Sequence, residues 1–477
     1  MNTLDKSQLS DNNFFLNKSA NVYLVLFLIL LFAFALRYYG FHHEHLHTFD
    51  ESAYAQLGLQ LSQDITDYNT QQIYKSSLAK GRTLPWQYNT PLFCHPPLFS
   101  FMISIIYRLL PPDFELAHWV SFWFGIFSIV ATFFLARRLF HDDRIALFSA
   151  FLLSIDANHV ICSEKIWLNT TEAFFVTVSL IFFALFLQNQ KRSFAMLCGF
   201  FAGLAMLTKF TGILILISFF FYAVFVAPRH IKKFKFWLIL ICSFLTYAPW
   251  LLWEYKIYGR QLVSFNTFYV YGLNKVIEYL PVLLGLILFA VLFKLLIAKN
   301  AMNCSKSNLK VITAVLIFAG ISSLFFYPSK FFSAFGIFNL KYIPINGWMD
   351  MGHGANWNFH FQRYIELCPL FIFAYLSFFL YRRNTEAFQL LGILLLLTFL
   401  FYFAWGSFHM RYLVTLDGIM AILTSFFVFS LWDWMVQQRA KRFIFYKICL
   451  IFFVCFFLVK TFFVTILLAL PNRTCYY

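Results

Sequence analysis

Residues 22–54 read VYLVLFLILLFAFALRYYGFHHEHLHTFDESAY, and they set the pattern for the whole chain. An apolar run from Val22 to Leu36 is long enough to approach the length of a membrane-spanning helix. Two adjacent carboxylates, Asp50 and Glu51, follow it and open a polar segment from about residue 40 to 95. The stretch predicts a membrane helix that leads directly into a polar loop able to carry chemistry.

The rest of the 477-residue chain repeats the apolar pattern. It is 61% hydrophobic and 12% charged, with a mean hydropathy of +0.70, whereas soluble domains carry about 25% charged residues. We therefore predict an all-α, polytopic membrane helical bundle of about 13 transmembrane helices. The predicted spans are about 22–38, 115–136, 145–162, 171–188, 194–208, 211–227, 236–253, 279–298, 310–327, 364–381, 387–405, 413–434 and 443–470. The segment 97–110 is too short to span, and we predict a helix at the outer interface.

The net charge of +16 does not indicate nucleic-acid binding, because most basic residues lie in short loops between apolar segments. Such residues orient membrane proteins, with Lys and Arg on the cytoplasmic side. They place the N-terminus in the cytoplasm of a multi-pass plasma (inner) membrane protein and the large loops on the extracytoplasmic side. The nine cysteines include no C-x-x-C pair, and no nucleotide-binding glycine loop occurs.

Charged and polar groups collect on the predicted extracytoplasmic face. They are Asp50, Glu51, His95, Glu164, Lys165, Lys209 and the segment 409–412. Carboxylates and cations together at a membrane surface suit a lipid substrate with an anionic head group. The cations would hold phosphate, and a carboxylate would take a proton from an attacking hydroxyl or amine. The alternative is that these residues are interfacial anchors.

Six short motifs occur in order, and together they resemble the C-type (GT-C fold) integral-membrane glycosyltransferases, in particular bacterial relatives of protein O-mannosyltransferase and of the lipid A aminoarabinose transferase. They are Asp50-Glu51-x-x-Tyr54, His95-Pro96-Pro97-Leu98, Ala136-Arg137-Arg138-Leu139-Phe140, Gly203-Leu204-Ala205-x-Leu207-Thr208-Lys209, Pro249-Trp250 and Arg411-Tyr412-Leu413.

The resemblance implies a single membrane domain, 1–477, with a glycosyltransferase-like module over about 22–300. It implies a catalytic first outer loop at 40–114 and a variable helical half at 301–477. The implied reaction transfers a sugar from a polyprenyl-phosphate donor to an extracytoplasmic protein, lipid A, lipopolysaccharide or other cell-envelope glycan. A lipid or oligosaccharide transporter, or an O-antigen-type polymerase, is the alternative. Transporters tend to show repeated halves, which we do not find here.

The resemblance also implies roles for individual residues. Asp50 would be the general base, and Glu51 would orient it or help to bind a metal. The candidates for binding the donor, its phosphate above all, are His95, Lys165, Lys209, Arg411 and Tyr54. No cofactor is certain, although a divalent metal is possible, with Asp50, Glu51 and Glu164 as weak candidate ligands.

The second outer loop departs from the family pattern. Relatives often carry Arg-x-x-x-x-Asp there, whereas this chain reads Ser163-Glu164-Lys165-Ile166-Trp167-Leu168-Asn169. Lys165 can stand for the cation, but Asn169 occupies the position of the acid. Because an amide binds a cation less strongly than a carboxylate does, this departure argues against a metal requirement built on that position.

Overall fold

The computed structural model describes residues 6–41, 49–79, 89–259, 364–378, 385–405, 409–437 and 442–469. These residues form helices and connecting turns, and no strand occurs among them. The helices are α1 (Lys6–Phe41), α2 (Phe49–Gln63), α3 (Gln71–Ala79), α4 (Leu98–Leu109), α5 (Phe114–Phe140), α6 (Asp143–Ile155), α7 (Ala157–Glu164), α8 (Asn169–Asn189), α9 (Arg192–Thr208), α10 (Ile213–Phe225), α11 (Pro228–Ile231), α12 (Phe234–Tyr258), α13 (Ile372–Ser377), α14 (Thr385–Trp405), α15 (Val414–Gln437) and α16 (Arg442–Ala469). The predicted all-α class is confirmed.

Six segments within the described ranges are long and apolar enough to cross a membrane. They are 20–40, 114–140, 169–189, 234–258, 410–437 and 444–466, and each agrees within a few residues with a predicted span. α9, α10 and α14 are shorter apolar helices at other predicted positions. The chain is thus an integral membrane protein. The count of about 13 stays a prediction, and the spans at 279–298 and 310–327 lie outside the described residues.

The predicted span at 145–162 is not one continuous helix. α6 and α7 meet at Asp156 with a bend of 58°. The bend leaves the last carbonyl groups of α6 without helical partners. Arg37 of α1 donates to the carbonyl oxygens of Leu153 and Ser154, at 3.4 and 3.0 Å. The hydroxyl of Thr465 donates to the carbonyl oxygen of Ile155, at 2.6 Å. These buried donors give hydrogen-bond partners to the carbonyl groups that the bend exposes.

Side-chain caps define where several helices begin. Asp113, Asp142 and Asp156 accept hydrogen bonds from backbone N–H groups in the first turns of α5, α6 and α7. Such caps satisfy donors that have no partner within the helix. They fix the starting points of the helices that surround the site.

α9 packs closely against α12 through Gly199 and Gly203. A Cβ at Gly199 would lie 2.2 Å from the carbonyl oxygen of Ile239, so only glycine allows this approach. Small residues four apart are a common way to bring membrane helices together. The contact fixes the end of α9, where Lys209 follows.

The segment after α1 forms a helical layer of its own. α2 packs against α4, and Tyr54, Phe99 and Trp250 belong to one buried apolar cluster that joins this layer to α12. α4 is the short apolar helix that the sequence predicts between residues 97 and 110. The layer holds the first turn of α2, with Asp50 and Glu51, against the bundle.

Candidate functional site

Polar side chains from distant parts of the sequence meet at one end of the bundle. Asp50 lies in the first turn of α2, and His95 precedes α4. Lys209 lies in extended backbone between α9 and a 3-10 turn, and Arg411 lies in the 3-10 turn before α15. The structure therefore brings together four of the residues predicted from the sequence.

Asp50 and Arg411 form the central contact. Arg411 Nη1 lies 2.7 Å from Asp50 Oδ2, and the two side chains are 12% and 26% exposed, Arg411 being the less exposed. The guanidinium also stacks on Trp167, at 4.8 Å from the ring centre. A carboxylate and a guanidinium that both reach solvent can each meet a bound substrate.

Lys209 is held in a cage beside this pair. Its Nζ lies 3.8 Å from Glu172 Oε2, 3.4 Å from the hydroxyl of Tyr402 and 4.4 Å from the ring centre of Tyr412. The ring of Tyr412 also faces Arg411, at 5.5 Å. One aromatic ring thus contacts both cations, and cation–π attraction stabilises each of them.

Glu51 points away from the exposed part of the site and is fully buried. Its carboxylate lies 3.8 Å from Lys165 Nζ and 3.6 Å from His118 Nε2, and it accepts a hydrogen bond from Ile166 N at 3.2 Å. Glu51 and Lys165 therefore fasten α2 to the segment between α7 and α8. The role of Lys165 as a phosphate ligand stays a prediction.

His95 is partly buried between the aromatic cluster and the cations. Burial, with Lys209 and Arg411 nearby, lowers the pKa of its imidazole to about 3, although Asp50 acts in the opposite direction. His95 is therefore neutral near pH 7 and can donate one hydrogen bond without adding charge. Tyr54 is buried, with its ring 6.3 Å from that of His95 and edge-on to Phe99, so its contacts position His95.

The weak candidate metal ligands do not converge. Asp50 faces Arg411, Glu51 faces Lys165 and His118, and buried Glu164 packs against Gly40. Across the described ranges, no group of three or more His, Cys, Asp or Glu side chains has a metal-binding arrangement. These three carboxylates do not fit one ion.

Sequence reasoning missed Glu172, Tyr402, His118 and Trp167. Glu172 carries a usable signal, because an ionisable residue inside a membrane helix is a functional candidate in itself. The other three are ordinary residues of apolar segments, and only packing shows their contacts with Lys209, Glu51 and Arg411.

Comparison with known proteins gives a sequence match in the first half of the chain. Residues 94–253 match the family model described as dolichyl-phosphate-mannose-protein mannosyltransferase. An uncharacterized protein of Aquifex aeolicus (strain VF5) is 24% identical over 224 residues, which cover 43% of this chain and 45% of the relative. The chain thus spans less than half of that curated relative.

Solved structures match over most of the chain. The apo oligosaccharyltransferase of Archaeoglobus fulgidus has a TM-score of 0.59 at 16% identity, covering 95% of this chain and 56% of that one. Apo ArnT from Cupriavidus metallidurans has a TM-score of 0.52 at 15% identity, covering 88% and 63%. ArnT bound to undecaprenyl phosphate has a TM-score of 0.50 at 15% identity, covering 86% and 62%. The chain spans less than two thirds of each of these structures.

These findings confirm the resemblance drawn from the six motifs: the chain has the fold of the C-type integral-membrane glycosyltransferases, and over residues 94–253 it is related in sequence to the dolichyl-phosphate-mannose-protein mannosyltransferase family.

Proposed function

We propose that this protein is a membrane glycosyltransferase that transfers a sugar from a polyprenyl-phosphate donor to an extracytoplasmic acceptor. The observation that carries the proposal is the partly exposed Asp50 carboxylate in contact with Arg411, beside Lys209 in its aromatic cage. The family match and a fold shared with an undecaprenyl-phosphate-bound ArnT support the donor class.

In the proposed reaction, an acceptor O–H or N–H group attacks the anomeric carbon of the donor sugar. Asp50 accepts the proton as the new bond forms. The bond between the anomeric carbon and the phosphate oxygen breaks, and its electron pair leaves with the lipid phosphate. Arg411 and Lys209 neutralise that phosphate, so no acid is needed to protonate it.

Neutral His95 adds a hydrogen bond to the phosphate. Arg411 suits the main contact, because a guanidinium can donate two parallel hydrogen bonds to two phosphate oxygens. Asp50 accepts from this guanidinium in the structure. A bound phosphate would take over the guanidinium and release Asp50 to act as a base.

We propose that the site faces the extracytoplasmic side of the inner membrane, as the resemblance implies and as the basic loops predict. Membrane lipids surround the bundle, and a lipid-linked donor can enter from them without leaving the bilayer.

The test is sugar transfer by the purified full-length protein in detergent. Polyprenyl-phosphate sugars are offered with protein, lipid A and glycan acceptors, with and without EDTA. We expect transfer by the wild type and a loss of about 10²- to 10⁴-fold in Asp50→Asn, the usual contribution of a general base. Asp64→Asn is the matched control, because Asp64 is an exposed carboxylate that accepts hydrogen bonds from the backbone and hydroxyl of nearby Thr66.

Transfer in the wild type that Asp50→Asn leaves intact would refute the assignment of the base. Folded protein that binds undecaprenyl phosphate but transfers no sugar would favour the transporter. Chain extension of a lipid-linked glycan would favour the polymerase.

A further inference from the structure

Two asparagine side chains hold the two backbone carbonyl groups that flank the Cα of Arg411. Asn158 Nδ2 donates to the carbonyl oxygen of Met410 at 3.2 Å, and Asn169 Nδ2 donates to that of Arg411 at 2.8 Å. Asn158 lies in α7 and Asn169 is the first residue of α8. Successive carbonyl groups of the turn are thus fastened to two different helices.

Both donors are buried. Asn158 is fully buried and Asn169 is 5% exposed. Asn158 Nδ2 also donates to Asp417 Oδ2 at 3.0 Å, which ties the turn to the start of α15. A buried hydrogen bond has few competitors from water, so these contacts define where the Arg411 backbone lies.

The contact made by Asn169 requires a donor. A carboxylate at this position would face the Arg411 carbonyl with oxygen lone pairs on both sides, which is repulsive unless the carboxyl is protonated. The asparagine is therefore suited to a backbone contact that the acid expected at this position could not make in its ionised form.

The neighbouring residues point the same way. Lys165 contacts Glu51 on α2, Trp167 stacks on the Arg411 guanidinium, and Asn169 bonds the Arg411 backbone. Three alternate residues of one segment contact the two elements that carry Asp50 and Arg411. The segment sets the position of these two residues relative to each other.

We propose that Asn169 is a positioning residue that, with Asn158, holds Arg411 where its guanidinium contacts Asp50 in the free protein and the phosphate of the lipid donor once the donor is bound. The inference rests on the proposed function. In this chain, Asn169 would thus serve to place an arginine that binds the donor phosphate.

The test compares Asn169→Ala, Asn169→Asp and Thr170→Val in the full-length protein. Thr170→Val is the matched control, because Thr170 follows Asn169 on α8 and is also buried. Its hydroxyl donates to the carbonyl oxygen of Ser121, at 3.1 Å. The readouts are the Kd for undecaprenyl phosphate, KM and kcat for the sugar donor, and Tm.

We expect Asn169→Ala to raise the Kd and KM about three- to tenfold, the equivalent of one lost hydrogen bond. Asn169→Asp should raise them further at a mildly alkaline pH. The ratio of its Kd and KM to those of the wild type should decrease as the pH falls, because a protonated carboxyl can donate to the Arg411 carbonyl. Thr170→Val should change Tm without changing either constant more than about twofold, since its lost bond does not touch Arg411.

Asn169→Ala with a wild-type Kd and KM would overturn the inference, as would a lowered Tm with no change in binding. If the Kd and KM of Asn169→Asp, relative to those of the wild type, stay constant with pH, the argument that this position must donate a hydrogen bond to the Arg411 carbonyl is overturned. Wild-type protein that binds undecaprenyl phosphate but transfers no sugar would refute the proposed function alone, because the effect of Asn169→Ala on Kd still decides the positioning role.

Discussion

Replacing Asp50 by asparagine should tighten phosphate binding while it removes most of the transfer activity. In the structure the Asp50 carboxylate contacts the Arg411 guanidinium at 2.7 Å. A donor phosphate must displace this carboxylate before it can bind the same group. The neutral amide introduced by Asp50→Asn would compete less well, so the variant should bind the lipid phosphate more tightly than the wild type does.

The magnitude follows from the geometry of the pair. A fully exposed ion pair contributes up to about 1 kcal/mol, and a hydrogen bond to a charged group about 1.5–3 kcal/mol. With the Asp50 and Arg411 side chains 26% and 12% exposed, we place this contact between those limits, at about 1–2 kcal/mol. Affinity for undecaprenyl phosphate should therefore rise about five- to thirtyfold.

The assay is a titration of the detergent-solubilised protein with undecaprenyl phosphate at constant ionic strength. Asp64→Asn, which removes an exposed carboxylate bonded to Thr66, should leave the Kd unchanged. Equal or weaker binding by Asp50→Asn would refute the reasoning, because it would show that Asp50 and the phosphate do not share Arg411.

Three further predictions concern the groups around this pair. Lys209→Met should destabilise the protein by about 3–5 kcal/mol, since it leaves Glu172 buried without its cation, and Glu172→Gln in the same chain should restore much of the loss in a denaturation assay; equal stability of the single and double variants would count against the ion pair. Glu51→Gln should likewise lower Tm, and adding Lys165→Met should recover part of the lost Tm. If the decreases in Tm of the two single variants simply add in the double variant, Glu51 and Lys165 are not coupled. His95 has a folded-state pKa of about 3, below its ordinary value of 6.5, so the stability that its neutral form contributes is complete above pH 6.5 and is lost as the pH falls toward 3. Over this pH range the Tm of His95→Gln should therefore fall less than that of the wild type, and parallel plots of Tm against pH would contradict this prediction.

The spans, and several of the residues that meet at the candidate site, could be predicted from the sequence because they depend on local signals. Apolar runs identify spans such as 114–140 within a few residues. Short motifs point to Asp50 and Arg411 although these residues lie near opposite ends of the chain, and the structure brings the two into contact. These features need no knowledge of packing.

The partners of each residue could not be predicted in the same way. Asp50 and Glu51 are neighbours in sequence, but on a helix they point about 100° apart. One reaches the exposed site and the other is buried against Lys165, and only tertiary packing decides which. The bend at Asp156 carries no Pro or Gly signal, and the donors that satisfy it, Arg37 and Thr465, come from the two ends of the chain.

The buried position of Arg37 has a consequence for biogenesis. α1 is synthesised before the bent pair α6 and α7 whose carbonyl groups receive the guanidinium. Until that pair has entered the membrane, a charged side chain in the hydrocarbon would be costly, but one close to the end of a span can extend to the headgroup region. We therefore expect α1 to insert with Arg37 at the membrane surface and to settle into its final depth only when the bent pair arrives. Truncated chains that end before α6 should carry Arg37 accessible to water-soluble reagents.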